Sequence, residues 1–226
     1  MKFSINAKVF EIAPTMKIGV LELSGINNKA DVGKFFDTEL ALITKDLAKK
    51  FDGVELAEYP LVKSWREIYK KFGEKKARSS IEALIRRIVG GKGLYRINAL
   101  VDLYNLASLR FELPAGGEDT DMMKAPLELT IAEGTEEFLP LGGGVENPNN
   151  GEVIYKSGDI VVCRNFNYRE SDITKLTENT KNAVIVFEDV FGSEEELNKA
   201  MDWLAEKAKT FLGADVKSRF VYKEGE

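Results

Sequence analysis

The chain has 226 residues, 44% of them apolar and 31% charged. That composition supports a buried core and excludes an intrinsically disordered chain. It carries no histidine and a single cysteine, Cys163, which excludes an intrachain disulfide, Cys/His zinc centres and every mechanism built on a histidine base.

The net charge of −5 is unevenly spread. Residues 62–96 hold eleven Lys/Arg against three Glu, or +8, which leaves −13 for the rest. An acidic protein with one basic face suits local docking of a polyanion, and a solvated pair of helices is the plainer alternative. No apolar run reaches the roughly 20 residues that span a bilayer. The opening MKFSINAKVFEIAP lacks the apolar stretch and small-residue cleavage site of a signal peptide, so a cytoplasmic location, with no membrane partner, is the expectation.

In chain order, residues 2–26 read as β structure, with KIGVLELSGI (17–26) the clearest strand. Asp31 is placed to cap a helix running to about Phe51, with Phe36, Leu40, Ile43 and Leu47 on one face. VKSWREIYKKF (62–72) is a basic amphipathic helix. Ser79-Ser80-Ile81-Glu82 has the capping-box pattern; the helix it opens buries Ile81, Leu84, Ile85, Ile88 and Val89, carries Arg86 and Arg87 near its C-terminus, and ends at Gly90-Gly91.

A helix over 98–109 follows, stopping before Pro114. It sets Asn98, Asp102 and Asn105 at i, i+4 and i+7 among leucines, and such groups must bond either to the fold or to a ligand. Residues 127–141 read as strands around a Gly-Thr turn. The loop GGGVENPNNGE (142–152) is turn chemistry, since it lacks the phosphate-loop pattern. Strands are expected at 153–155, 160–163 and 183–187. A second capping box at Ser193 and Glu196 opens the last helix, and residues 216–222 return as an edge strand.

The expected fold is α+β, with a mixed, largely antiparallel β-sheet flanked by helices. Two loop features were weighed for ligands. The Glu118/Asp119/Asp121 cluster could hold Mg²⁺ by carboxylate oxygens, but it lacks ordered ligand spacing and reads as a solvated loop; no metal and no cofactor are expected. CRNFNYRES (163–171) runs from an apolar strand into Arg164, Asn165, Asn167 and Arg169 with Phe166 and Tyr168 between. This suits either a pocket for a carboxylate or phosphate or a turn paired to neighbouring carboxylates.

Taken together, SSIEAL, LVDLYN, Pro114, Gly151-Glu152 and CRNFNYR resemble the B3/B4 module, the tRNA-editing domain of the β subunit of bacterial phenylalanyl-tRNA synthetases. They resemble its free-standing relatives more closely. The resemblance covers about 65–191, inside a single compact domain (1–226) with an N-terminal strand-helix extension (1–60) and a C-terminal helix (193–212).

The resemblance implies a protein that binds tRNA through its aminoacylated 3′ end, holds an amino acid in a pocket and hydrolyses mischarged aminoacyl-tRNA in trans. The chain has no synthetase core, so it does not charge tRNA. Asn105 matches the family's pocket asparagine and Tyr104 stands where a smaller hydroxyl residue is usual. Pro114 and Asp119 match the family's proline and aspartate, while the histidine expected two residues after the proline is Gly116. Cys163 and Arg164 replace small residues.

Catalytic roles are therefore expected at Asn105, Arg164 and Asn165. Substrate contacts are expected at Asn98, Asp102, Tyr104, Pro114, Gly116, Cys163, Asn167 and Arg169, and RNA contacts at Lys70, Lys71, Arg86 and Arg87. Two other classes stay open: a non-catalytic sensor of an amino acid or small metabolite, and a general RNA-binding module.

Overall fold

The structure is a computed structural model that describes residues 3–223; Lys2, at the edge of the first expected β segment, lies outside them. Among the described residues, nine strands form two sheets rather than one. The first contains β1 (Ser4–Ile5), β4 (Leu127–Ile131), β5 (Val153–Ser157), β6 (Ile160–Arg164) and β7 (Arg169–Glu170), in the order β1-β4-β5-β6-β7. The second contains β2 (Lys17–Ser24), β3 (Ala115–Asp119), β8 (Ala183–Asp189) and β9 (Asp215–Tyr222), in the order β3-β8-β2-β9. All pairings are antiparallel except β1 with β4. The α+β class and antiparallel character agree with the sequence reading.

Among the described residues six α-helices surround the sheets: α1 (Ala7–Ile12), α2 (Gly33–Lys50), α3 (Pro60–Lys71), α4 (Ser80–Val89), α5 (Ala99–Phe111) and α6 (Glu194–Leu212). The serine half of each capping box forms: Ser79 Oγ accepts from the Glu82 amide and Ser193 Oγ from the Glu196 amide, each at 3.3 Å, while the Glu82 and Glu196 carboxylates turn instead to Arg66 and Arg86 and to Lys199. Helix α1 departs from the β expectation because Asn6 caps it, accepting from the Lys8 amide. Asp31 accepts from the Gly33 amide rather than acting as the cap residue itself.

Strand alternation sets the layers. On β8, Ala183, Ile185 and Phe187 pack with Leu21, Leu23 and the apolar face of α6, including Leu197, Met201 and Leu204. Val184, Val186 and Glu188 point the other way, toward the first sheet, as do Ile18 and Val20 of β2. The two sheets touch across this second face: the Tyr155 hydroxyl donates to Glu188 at 2.9 Å, and the Phe3 ring meets Tyr222 edge-on at 4.8 Å.

Candidate functional site

The β6–β7 hairpin is turned by four residues, 165–168, with Asn165 and Phe166 both in the left-handed region at φ 55° and 56°. Asparagine tolerates that conformation; for phenylalanine it is an outlier that persists only where packing fixes it. Here packing does so. The Phe166 ring is fully buried, edge-on to Trp65 at 5.3 Å and Phe72 at 5.6 Å, so helix α3 holds the turn. The Tyr69 hydroxyl adds a bond to the Asn165 carbonyl at 3.2 Å.

Beside this turn the charged residues of the motif are matched within the chain. Arg164 donates from Nε and Nη2 to the two oxygens of Glu152, both at 2.7 Å, and from Nη1 to Glu146 at 2.9 Å. Arg169 holds Glu146 through two bonds of 2.7 and 2.9 Å, and both guanidiniums lie over the Phe138 ring. Asn165 donates to Glu152 at 3.1 Å. These residues were expected to face substrate. Instead Glu152, the glutamate of the Gly-Glu pair, is buried and takes Arg164 and Asn165 as its counter-groups, because a buried carboxylate needs them. All three guanidinium nitrogens of Arg164 are thus engaged by carboxylates within the chain.

Two members of the α5 stripe are likewise structural. Asn98 caps α5, accepting from the Val101 amide, and its Nδ2 donates to the Leu176 carbonyl at 3.0 Å. Asn28 locks against it, donating to Asn98 Oδ1 and accepting from the Leu100 amide. Asp102 accepts from the Ile97 amide at 2.8 Å and from Arg96 Nε at 3.1 Å. Asn105 differs: its half-buried amide has no hydrogen-bond partner among the described residues.

The unmatched groups lie between the sheets. Gly116 and Glu118 share one face of β3, opposite Val186 and Val184 in register. Gly116 leaves room for Asn167: a Cβ there would stand 2.2 Å from Asn167 Oδ1, so the hairpin asparagine occupies the space that a side chain at position 116 would fill. Glu118 faces Glu170 of β7, carboxyl to carboxyl, with Thr174 beside it.

No ion pair involves either glutamate among the described residues. Glu118 Oε2, Glu170 Oε1, Thr174 Oγ1, Asn167 Nδ2 and Glu188 Oε2 all lie buried without a hydrogen-bond partner. Unsatisfied buried polar atoms are rare in native folds and call for an explanation. Burial pushes Glu170 up to about 8; burial and then the Glu170 charge push Glu118 well above the carboxylate range. Burial also lifts Glu188 to about 8, although the Tyr155 hydroxyl and the Asn167 backbone amide favour its charged form. Two facing carboxyls in such surroundings share a proton.

The same surroundings raise the Cys163 thiol and the Tyr104 phenol, each through burial first and the Glu170 charge next. Tyr104, Asn105, Asn167 and Glu170 are all partly exposed and Tyr168 is exposed, so this polar seam reaches the surface there. Pro114 leads into β3, its carbonyl accepting from the Glu188 amide. Asp119 is tied to Thr180 and to the Asp121 amide. A separate cleft of about 790 Å³ beside β4, lined by Glu128, Glu133, Glu136 and Glu137, has none of these unpartnered atoms.

The basic helices form a second surface. Glu82, buried in α4, receives Arg66 through two bonds of 3.1 and 2.6 Å, Arg86 at 2.8 Å, and Arg78 at 3.6 Å. Three guanidiniums on one carboxylate leave a local surplus of positive charge. Arg87 stacks on the exposed Tyr95 ring at 4.3 Å and donates to the Gly93 carbonyl. Lys70 and Lys71 are exposed on α3.

The model of the B3/4 domain matches residues 64–195, more than half of the chain. The chain belongs to the B3/4 domain family. Among solved structures, the N-terminal fragment of the phenylalanyl-tRNA synthetase β-subunit from Pyrococcus horikoshii aligns at 15% identity with a TM-score of 0.49. The alignment covers 99% of this chain and 54% of that one, so this B3/4 protein spans about half the length of the relative. No curated protein matches it.

Sequence reasoning singled out the hairpin but not Glu118, Glu170, Glu188 and Thr174 as its chemistry. Glu170 was visible as the last residue of the RNFNYRE run and Glu188 as a charge ending an apolar strand. Glu118 was read with Asp119 and Asp121 as a solvated acidic loop, because Ala-Gly-Gly-Glu-Asp carries no strand signal; it lies instead on the buried strand β3.

Proposed function

We propose that this B3/4 protein is a trans-acting editing module that hydrolyses the ester between a mischarged amino acid and the 3′ ribose of tRNA, and that it does not charge tRNA itself. The observation that supports this most is the seam of buried, unpartnered polar atoms between the sheets in a chain of this family. An aminoacyl ester is already reactive, so positioning supplies much of the acceleration.

Without histidine, the pocket works through amides and carboxyls. Asn105 orients the attacking water. Asn167 Nδ2, a buried donor with no partner, replaces Arg164 and Asn165 as the stabiliser of the developing oxyanion. The surplus charge of Arg66, Arg78 and Arg86 around Glu82, with Lys70, Lys71 and Arg87 nearby in sequence, carries the RNA by phosphate contacts and makes binding salt-sensitive.

The test is a deacylation assay over a panel of mischarged tRNAs at low salt. Hydrolysis of at least one, lowered at least about tenfold by Asn105→Ala or Asn167→Ala, is expected; loss of one oxyanion donor elsewhere costs about 100-fold or more. No hydrolysis across the panel overturns the reading. Charge reversal at Lys70 and Lys71 should flatten the salt dependence of RNA binding while leaving the pocket unaffected.

A further inference from the structure

We infer that Glu118 and Glu170 form the receiving site for a ligand's ammonium group. This deepens the reading above by naming the chemistry its pocket selects. The two carboxyls come from opposite sheets, Glu118 from β3 and Glu170 from β7, so the fold brings them together across the layer between the sheets. Elsewhere buried carboxylates are matched from within: Glu152 by Arg164 and Asn165, Glu82 by Arg66 and Arg86, Asp102 by Arg96.

Among the described residues this pair has no cation, and beside Glu118 stands a third oxygen without a hydrogen-bond partner, Thr174 Oγ1, in a fully buried residue. Glu118 Oε2, Glu170 Oε1 and Thr174 Oγ1 are three acceptors, and a primary ammonium is a point charge with three N–H donors. A metal is a poorer fit: among the described residues no three Asp, Glu, Cys or His side chains are grouped to hold one. A positive charge also resolves the electrostatics. It lets both carboxyls ionise, where alone they must keep a proton between them.

Two consequences follow. Binding expels the shared proton, so affinity rises with pH toward about 8, where Glu170 ionises. The other titratable groups facing the pair, Tyr104 from α5 and Cys163 from β6, are held protonated in that range by burial and by the carboxyls themselves. Ligands whose amine is blocked are refused, because a neutral amide brings one N–H and no charge.

The experiment is isothermal titration and thermal shift on the whole protein with amino-acid amides, their N-acetyl counterparts, lysine and Nε-acetyl-lysine. Free-amine ligands should raise Tm and bind at least about tenfold tighter than acetylated ones, releasing about one proton. Glu118→Gln and Glu170→Gln should abolish that discrimination. Comparing α-acetyl with ε-acetyl ligands shows which ammonium is read.

Equal binding of acetylated ligands, unchanged binding by the Gln variants, or no response to any amine overturns the inference. If a Gln variant does not fold, the acetylated pairs and the pH dependence in the wild type decide. Amine binding without deacylation would defeat the hydrolase reading and leave this site standing; deacylation indifferent to amine blocking would do the reverse.

Discussion

Two polar clusters flank the same hairpin and are built in opposite ways. On one side Arg164 and Arg169 match Glu146 and Glu152 charge to charge, and Asn165 donates to Glu152 while its own Oδ1 lies buried without a partner. On the other, Glu118, Glu170, Thr174, Asn167 and Glu188 leave five buried atoms without partners. The first cluster ties the ends of the hairpin to the 146–152 loop, while the Phe166 ring packed on α3 fixes the turn itself. The second has no such pairing and is the region proposed above to receive a ligand. Charged residues crowded beside a motif are therefore not its chemistry by default; the groups the fold leaves unsatisfied are the better guide.

The comparison predicts effects of different sign and size. Removing Arg164 by Arg164→Ala strands Glu152 in the interior and should cost about 3–5 kcal/mol of unfolding free energy in urea titration. The double variant Arg164→Met, Glu152→Met should recover part of that loss. A cost below about 1 kcal/mol would show the matched cluster to be dispensable.

The next effect is smaller and reversed. Glu170 has a folded-state pKa raised to about 8, so its contribution to stability is fully present below the unfolded carboxylate pKa and is lost as pH rises toward about 8. Glu170→Gln should therefore stabilise the protein at pH 8 by on the order of 2 kcal/mol, with little effect at pH 4. Glu188→Gln should behave alike.

Glu146 shows the opposite dependence. Its bonds to Arg169 hold its carboxyl below the usual range, so what it contributes is present above the unfolded pKa and lost as pH falls through the lowered value. Thermal melts from pH 3 to pH 9 would separate the two clusters by these opposing trends. Smallest is Asn98→Ala, which removes the cap of α5 and should cost about 1 kcal/mol; deacylation should survive it, since Asn98 belongs to the scaffold.

Much of this was legible before the fold. The amphipathic helices and the serine caps of α4 and α6 follow from spacing alone, and the resemblance to the B3/B4 module rests on motifs in the same segment the family model matches. Direction was not legible. Arg164 and Arg169 could have faced a ligand or neighbouring carboxylates, and what decides is that Glu146 and Glu152, in a turn-rich loop, are folded back onto β6 and β7.

Strand β3 was missed because Gly116 and Gly117 have low strand preference. Pairing with β8 imposes the conformation, and the glycine at position 116 is needed so that Asn167 can enter. The Glu118–Glu170 encounter joins residues from different sheets, and no local pattern encodes that.

The central claim is that the unmatched carboxyl pair, not the matched arginines, is the functional centre. The most direct measurement is the deacylation rate of Glu170→Gln on the mischarged tRNA that the wild-type protein hydrolyses fastest. A loss of at least about tenfold in kcat/KM in a variant at least as stable as wild type at pH 8 is the predicted result. An unchanged rate in that folded variant would contradict the account.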